Sequence, residues 1–219
     1  MALWPVGCKD TGLVAAQFAG LITAVAVQRC HDLTCLQTQH SLIHSMHLTP
    51  PTVLILASGR GERFKASGGT VHKLQALLAG KPVLQHTLDA VRASGLPWHV
   101  EDAGHPGMGD SIAAAVRHTV SAAGWLVLPG DLPLVQPATL QAMAQVLLEE
   151  QAVVAWPELA GERGHPVAFG GDCLPDLLAL QGEKGAAPVV RNWAEQRRGL
   201  AVQVQDEGVV TDIDTVDAL

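Results

Sequence analysis

Thr52-Val53-Leu54-Ile55-Leu56-Ala57-Ser58-Gly59-Arg60-Gly61-Glu62-Arg63-Phe64 decides the fold. The run from Thr52 to Ala57 is continuously apolar after its first residue, rich in β-branched side chains, and ends in a glycine loop. Side chains alternate between the two faces of a strand. A strand with no polar alternate is therefore buried on both faces, which a parallel sheet covered by helices provides. In the loop, two glycines let the backbone approach a phosphate closely, and consecutive N–H groups form an anion nest. Arg63, and Lys73 further on, add fixed positive charge against a triphosphate. Leu56, Ala57, Ser58, Gly59, Arg60 and Gly61 are thus candidate nucleotide-binding residues. A dinucleotide fingerprint would need glycine where Phe64 stands, and a P-loop needs Gly-Lys-Ser/Thr, which is absent. The competing use of the segment is a plain glycine turn with solvent-facing arginines.

Outward from this strand the pattern alternates. Val83, Leu84, Thr87, Leu88 and Val91 recur at helical spacing, so Pro82 to Ser94 reads as a helix with proline in its first turn. Trp98 to Glu101 reads as a short strand. Ile112, Val116 and Val120 mark a helix that Asp110 or Ser111 can cap. Gly124 to Leu128 is a second buried strand and Pro137 to Glu150 a third helix. Val153–Trp156 and Val167–Phe169 read as strands and Ala186–Gln196 as a helix, with Val202–Val204 and Val209–Ile213 completing the pattern. Strands alternating with helices imply an α/β fold: three αβα layers around a mostly parallel sheet.

Four further segments carry chemistry. Asp131, in Pro129-Gly130-Asp131-Leu132, lies just beyond a buried strand, at the edge where open α/β sheets bind ligands. A carboxylate there can hold Mg²⁺, which takes one or two carboxylates plus phosphate oxygens and water; the alternative is a turn aspartate between two prolines. Gly107-Met108-Gly109-Asp110-Ser111 opens a helix whose free N–H groups and positive dipole end favour an anion or a polar ligand edge, with Gly109 and Ser111 as candidate contacts. Asp212 and Asp214, one residue apart on a strand, point to one face, and either can join Asp131 at a metal. Alternatively Asp214 or Thr215 caps a final short helix. Arg163 and His165, on a glycine-proline turn, can receive an anionic acceptor.

Composition sets limits on all of this. Of 219 residues, 48% are hydrophobic and 16% charged, which supports a well-buried core. A formal net charge of −7 argues against a nucleic-acid binder, which would normally display a basic face. Four scattered cysteines imply no disulfide framework, so a cytoplasmic location is expected. Residues 1–50 form an N-terminal extension to a domain over 51–219. Leu13–Val27, about 15 residues of mostly apolar sequence, is too short for the ~20 of a membrane span. It reads as an upstream extension before a start at Met46, as an accessory helix, or as a secretory signal with Asp10 spoiling its basic region. Cys30, Cys35 and histidines 31, 40, 44 and 47 match no zinc spacing.

Taken together and in order, these segments resemble the nucleotidyltransferase family that includes molybdenum cofactor cytidylyltransferase. The likeness runs from Val53 to Leu219, through residues 56–64, His72-Lys73-Leu74, 107–112, 129–135, Arg163-Gly-His-Pro-Val167 and Thr211-Asp-Ile-Asp-Thr215. It implies a Rossmann-like nucleotidyltransferase fold with the nucleoside triphosphate over the loop at 58–63. It further implies Lys73 on the phosphates, the 107–111 segment near base and ribose, and Mg²⁺ on Asp131 with help from the 212–214 segment. The Arg-Gly-His-Pro-Val stretch favours CTP over GTP and a molybdopterin-type acceptor, with a molybdoenzyme or its chaperone as a further partner. Guanylyl transfer, transfer to a sugar phosphate, and a non-catalytic module that delivers cofactor are the alternatives. Two departures stand out. Eight residues separate Phe64 from Lys73, and only ten lie between Leu96 and Gly107, so one βα unit is missing near the base pocket.

Overall fold

A computed structural model describes residues 49–219 of the chain. The readings made for residues 1–48 lie outside the described residues.

The opening run forms β1 (Thr52–Leu56). Val53, Leu54 and Ile55 have no exposed surface, which is the burial on both faces that their unbroken apolar character requires. β1 pairs in parallel with β4 (Trp98–Glu101) on one side and β5 (Gly124–Pro129) on the other. Val53 and Ile55 pack under α2 (Val83–Ser94) and α4 (Pro137–Leu148), whereas Leu54 packs under α3 (Met108–His118), α5 (Leu174–Leu178) and α6 (Ala187–Glu195). Successive side chains of one strand therefore feed two separate cores, and the sheet is the middle of three layers.

Beyond β5 the chain departs from simple parallel winding. β8 (Val167–Gly170) pairs antiparallel with β5 and with β6 (Val154–Leu159), so β5 and β6 run in the same direction on either side of it. β9 (Gly199–Gln203) pairs in parallel with β6, and β7 (Glu162–Arg163) turns back antiparallel against its far end. The sheet is mixed but mostly parallel, in the order β4-β1-β5-β8-β6-β7 with β9 on β6. A two-strand hairpin of β2 (Leu77–Leu78) and β3 (Lys81–Pro82) stands apart from it.

The expected elements from residue 82 to 204 are present, with shifted ends. One differs in kind: the strand expected at Val209–Ile213 is a 3₁₀ turn (Glu207–Val209) followed by irregular chain. A buried carboxylate is the cause. Asp206 accepts hydrogen bonds from Gly208 N–H (2.9 Å), Gln136 N–H (2.9 Å) and Thr139 Oγ1 (2.6 Å). It thus satisfies free donors at the start of α4 from a distant part of the chain and bends its own segment into a turn. A Cβ on Gly208 would lie 2.2 Å from the Leu134 carbonyl carbon, so this contact needs glycine. Among the described residues no helix is long and apolar enough to cross a membrane.

Candidate active site

The glycine loop leaves β1 at the carboxyl edge of the sheet, where Ala57 N–H bonds Glu101 O (2.8 Å) and Gly130 N–H bonds Leu56 O (2.9 Å). Gly61 adopts φ +61° and starts α1 (Glu62–Ala66), a conformation that disfavours a side chain. The loop is pinned on both sides. Ser58 Oγ lies 2.6 Å from Ser111 Oγ of α3, and His72 Nε2 lies 2.6 Å from Gly59 O. His72 Nδ1 accepts from Leu74 N–H (3.3 Å), which leaves the proton on Nε2 to donate to Gly59.

Asp131 follows β5 on the same edge. The turn that carries it is fixed from α2, whose buried Thr87 Oγ1 donates to Gly130 O (3.1 Å). A Cβ on Gly130 would meet Leu84 Cδ1 at 3.0 Å and Leu56 O at 3.1 Å, so β1 and the turn close on one another. Ile213 N–H donates to Asp131 O (3.0 Å), which holds the 212–214 segment against the turn. One carboxylate oxygen from each of Asp131, Asp212 and Asp214 lies within 4.8 Å of the others. The sequence pattern brought these aspartates together through a strand; the fold does so through an irregular segment held by backbone bonding.

Lys73 reaches into this cluster, its Nζ 2.5 Å from Asp131 Oδ2 and 2.8 Å from Asp214 Oδ1. Burial works against its ammonium, but the two carboxylates outweigh that and hold its pKa above the ordinary value. Asp214 is also paired with Arg63, whose side chain is 82% exposed. Hydrogen bonding and charge from Lys73, joined by Arg63, hold the Asp214 carboxyl below its usual range against the opposing effect of burial. Asp212 goes the other way: burial, then the charges of Asp214 and Asp131, push its pKa up. Three carboxylates so close together favour an additional cation, and a set of hard oxygen donors fits Mg²⁺ or Mn²⁺.

The glycine loop, Lys73, Asp131, Asp214 and Ser111 all line one cleft of about 470 Å³. Leu56 lines it as well, while Ala57 packs inward against Phe64, Leu74 and Ile213. Gly109 serves the site differently from expectation. The helix begins at Met108, so Asp110 lies inside its first turn and accepts from Gly182 N–H (2.9 Å) instead of capping it. Gly109 N–H is itself spent on Gly182 O (2.8 Å). A Cβ on Gly107 would stand 2.3 Å from the Gly182 carbonyl carbon, and one on Gly109 2.9 Å from that of Gln181. These glycines admit the 181–183 loop against the helix start, and Glu183 of that loop enters the cleft wall with His105. Neither residue was indicated by the sequence, where Gly182 and Gly185 flanking Glu183-Lys184 were the available signal.

Arg163 and His165 part company. The Arg163 guanidinium lies over the Trp156 ring, 3.9 Å from its centroid, and faces a separate shallow pocket with Arg191. The His165 imidazole is largely buried, and its Nδ1 has no hydrogen-bond partner among the described residues. Burial lowers its pKa against a hydrogen bond with the Val127 backbone and the charges of Asp131 and Asp212. Its backbone N–H donates to Val209 O (2.9 Å), and the residue does not line the cleft.

A family model described as the MobA-like NTP transferase domain matches residues 89–199. Bifunctional protein GlmU of Desulfitobacterium hafniense (strain DSM 10664 / DCB-2) is 30% identical over 170 residues, covering 67% of this chain and 36% of that protein. The chain thus spans about a third of the length of the curated relatives it matches. Rv0371c of Mycobacterium tuberculosis H37Rv is similar in structure, with 25% identity, a TM-score of 0.61, and coverage of 79% of this chain and 96% of that one. Its complex with manganese matches at 24% identity and a TM-score of 0.58, over 78% and 96% of the two chains.

Proposed function

Because the chain belongs to the MobA-like NTP transferase family, we propose that it transfers a nucleotidyl group from a nucleoside triphosphate to a phosphorylated acceptor, releasing pyrophosphate. The observation that carries this reading is the single cleft lined by both the glycine loop and the Lys73–Asp131–Asp214 cluster. An acceptor phosphate oxygen attacks the α-phosphorus, the new P–O bond forms, and the bond to the β-phosphate oxygen breaks in line. Such a reaction asks little covalent chemistry of the protein, so positioning and charge neutralisation dominate.

Backbone N–H groups of Ser58 to Gly61 cradle the triphosphate, and Ser111 holds the loop through Ser58. Lys73 and Arg63 offset charge on the departing pyrophosphate. Asp131, with Asp212 and Asp214, would hold Mg²⁺, which when bound neutralises triphosphate oxygens. His165 and Arg163 are assigned to the acceptor side, Arg163 from the Trp156 face. CTP as donor and a molybdopterin-type acceptor are the specific choices, supported by the Arg-Gly-His-Pro-Val stretch at 163–167.

The test is pyrophosphate release with CTP or GTP, Mg²⁺ and either molybdopterin or a sugar phosphate. Release with CTP and molybdopterin supports the full reading. Release with GTP moves the base, and release with a sugar phosphate moves the acceptor. Tight nucleotide binding without release under any combination overturns transfer in favour of a binding module.

A further inference from the structure

We propose that His99, Glu101 and His118 form a second cation site, for a transition metal of the zinc class, outside the carboxylate cluster. The two-residue period of β4 puts His99 and Glu101 on one face, opposite Leu54 and Leu56 of β1. That face is covered by α3, and His118 in its last turn stacks on His99 with ring centroids 5.2 Å apart. One ligand atom from each of the three lies within 4.8 Å of the other two.

The donor geometry is specific. Glu101 is 5% exposed, and its Oε1 is already engaged by His105 Nε2 (3.0 Å) and Ala103 N–H (3.2 Å). Its Oε2 is left facing the two imidazoles, 3.7 Å from His99 Nε2 and 3.8 Å from His118 Nδ1. These gaps are too long for hydrogen bonds. They are close to the separation of two ligands on one ion, about 3.3 Å for bonds of ~2.05 Å in a tetrahedral zinc site. His99 Nε2 is moreover buried with no hydrogen-bond partner among the described residues, a cost that an ion would remove. His118 Nδ1 also lies 3.1 Å from Ala114 O in its own helix and exchanges that contact for the metal.

Two imidazoles and one carboxylate suit zinc, cobalt or nickel far better than magnesium, and three protein ligands leave a position for water. His105 fixes the carboxylate as a metal site's outer partners do, and it also lines the cleft.

The full chain, stripped with a chelator, is titrated with Zn²⁺ in competition with a chromophoric chelator, and with Co²⁺ followed by visible absorption. Residues 1–48 carry histidines and cysteines of their own, so the readout is the difference between chains. The wild type takes up one equivalent more than His99→Ala/His118→Ala, and that equivalent carries the intense absorption of four-coordinate Co²⁺. His118→Ala alone, at a side chain 66% exposed, leaves the circular dichroism spectrum intact and weakens the site at least about tenfold. Asp131→Ala retains the equivalent. Equal uptake by the wild type and both histidine variants overturns the proposal and leaves His99 and His118 as packing neighbours of Glu101. Loss of the equivalent in Asp131→Ala instead overturns it in favour of the carboxylate cluster.

Discussion

The two groups of side chains that could hold a metal ion, at the carboxyl edges of β1, β4 and β5, are built on opposite plans. Around Asp131 every donor is a carboxylate oxygen, and the lysine that bridges two of them comes from a 3₁₀ turn far off in sequence. Around Glu101 the single carboxylate is surrounded by imidazoles, all from one strand, the loop after it and the following helix. The first cluster gathers negative charge and imports cations; the second supplies imidazole nitrogen donors. Donor type, more than the number of acids, decides which cation a cluster suits.

The widest break in this comparison comes from Asp131→Ala. Pyrophosphate release falls by about 10³-fold, while circular dichroism and the uptake of the zinc-class equivalent stay unchanged. Near-normal turnover would remove Asp131 from the metal. Lys73→Ala comes next. It strips the bridging cation from Asp131 and Asp214, and kcat falls about 10²-fold. Asp214, now without its lysine, titrates closer to the ordinary carboxylate range in an NMR titration. An unchanged Asp214 would mean that Arg63 alone sets its pKa.

Gly107→Ala tests the wall shared by both regions. Its Cβ has no room against Gly182, so the 181–183 loop shifts, stability drops by about 1–3 kcal/mol in urea unfolding, and the nucleotide KM rises more than kcat falls. A KM equal to the wild type's would detach that loop from nucleotide binding. His165→Asn is subtler. Burial depresses the folded imidazole's pKa below 6.5, so the unfolded chain takes up a proton first as pH falls. The wild type's stability is therefore complete above 6.5 and declines below it until the folded-state pKa is reached. His165→Asn lacks that slope, and parallel curves would refute the burial effect. Arg63→Ala has the smallest effect. At 82% exposure it shifts stability by less than about 0.5 kcal/mol, and it slows turnover less than Lys73→Ala does.

Period and burial made the frame legible. β1 and β5 declare themselves because strands covered on both faces carry no polar residues, and Asp131 follows from standing where such a strand stops. The 209–213 segment misled for a physical reason: its valines and isoleucine fill a core position and a turn, and the force that bends it comes from Asp206, two of whose three partners lie about seventy residues away. Gly107 and Gly109 were visible as an unusual helix start, but glycine records only that something comes close. Whether it is a phosphate or, as found, the 181–183 backbone depends on a loop that no local pattern announces. Arg163 and His165 are likewise neighbours in the chain and strangers in space, because β7 ends between them and their side chains leave on different sides.

The reversed direction of β8 has a further meaning. β5 hands its last residue, Pro129, to the cleft, whereas β8 runs the other way: Val167 stands opposite Val127, so the turn before it lies at the same edge of the sheet as Asp131. That turn belongs to a hairpin and carries no crossover helix, so residues 160–166 can be exchanged without unthreading a layer. The edge beside Asp131 can thus vary in sequence while the crossover helices stay in place.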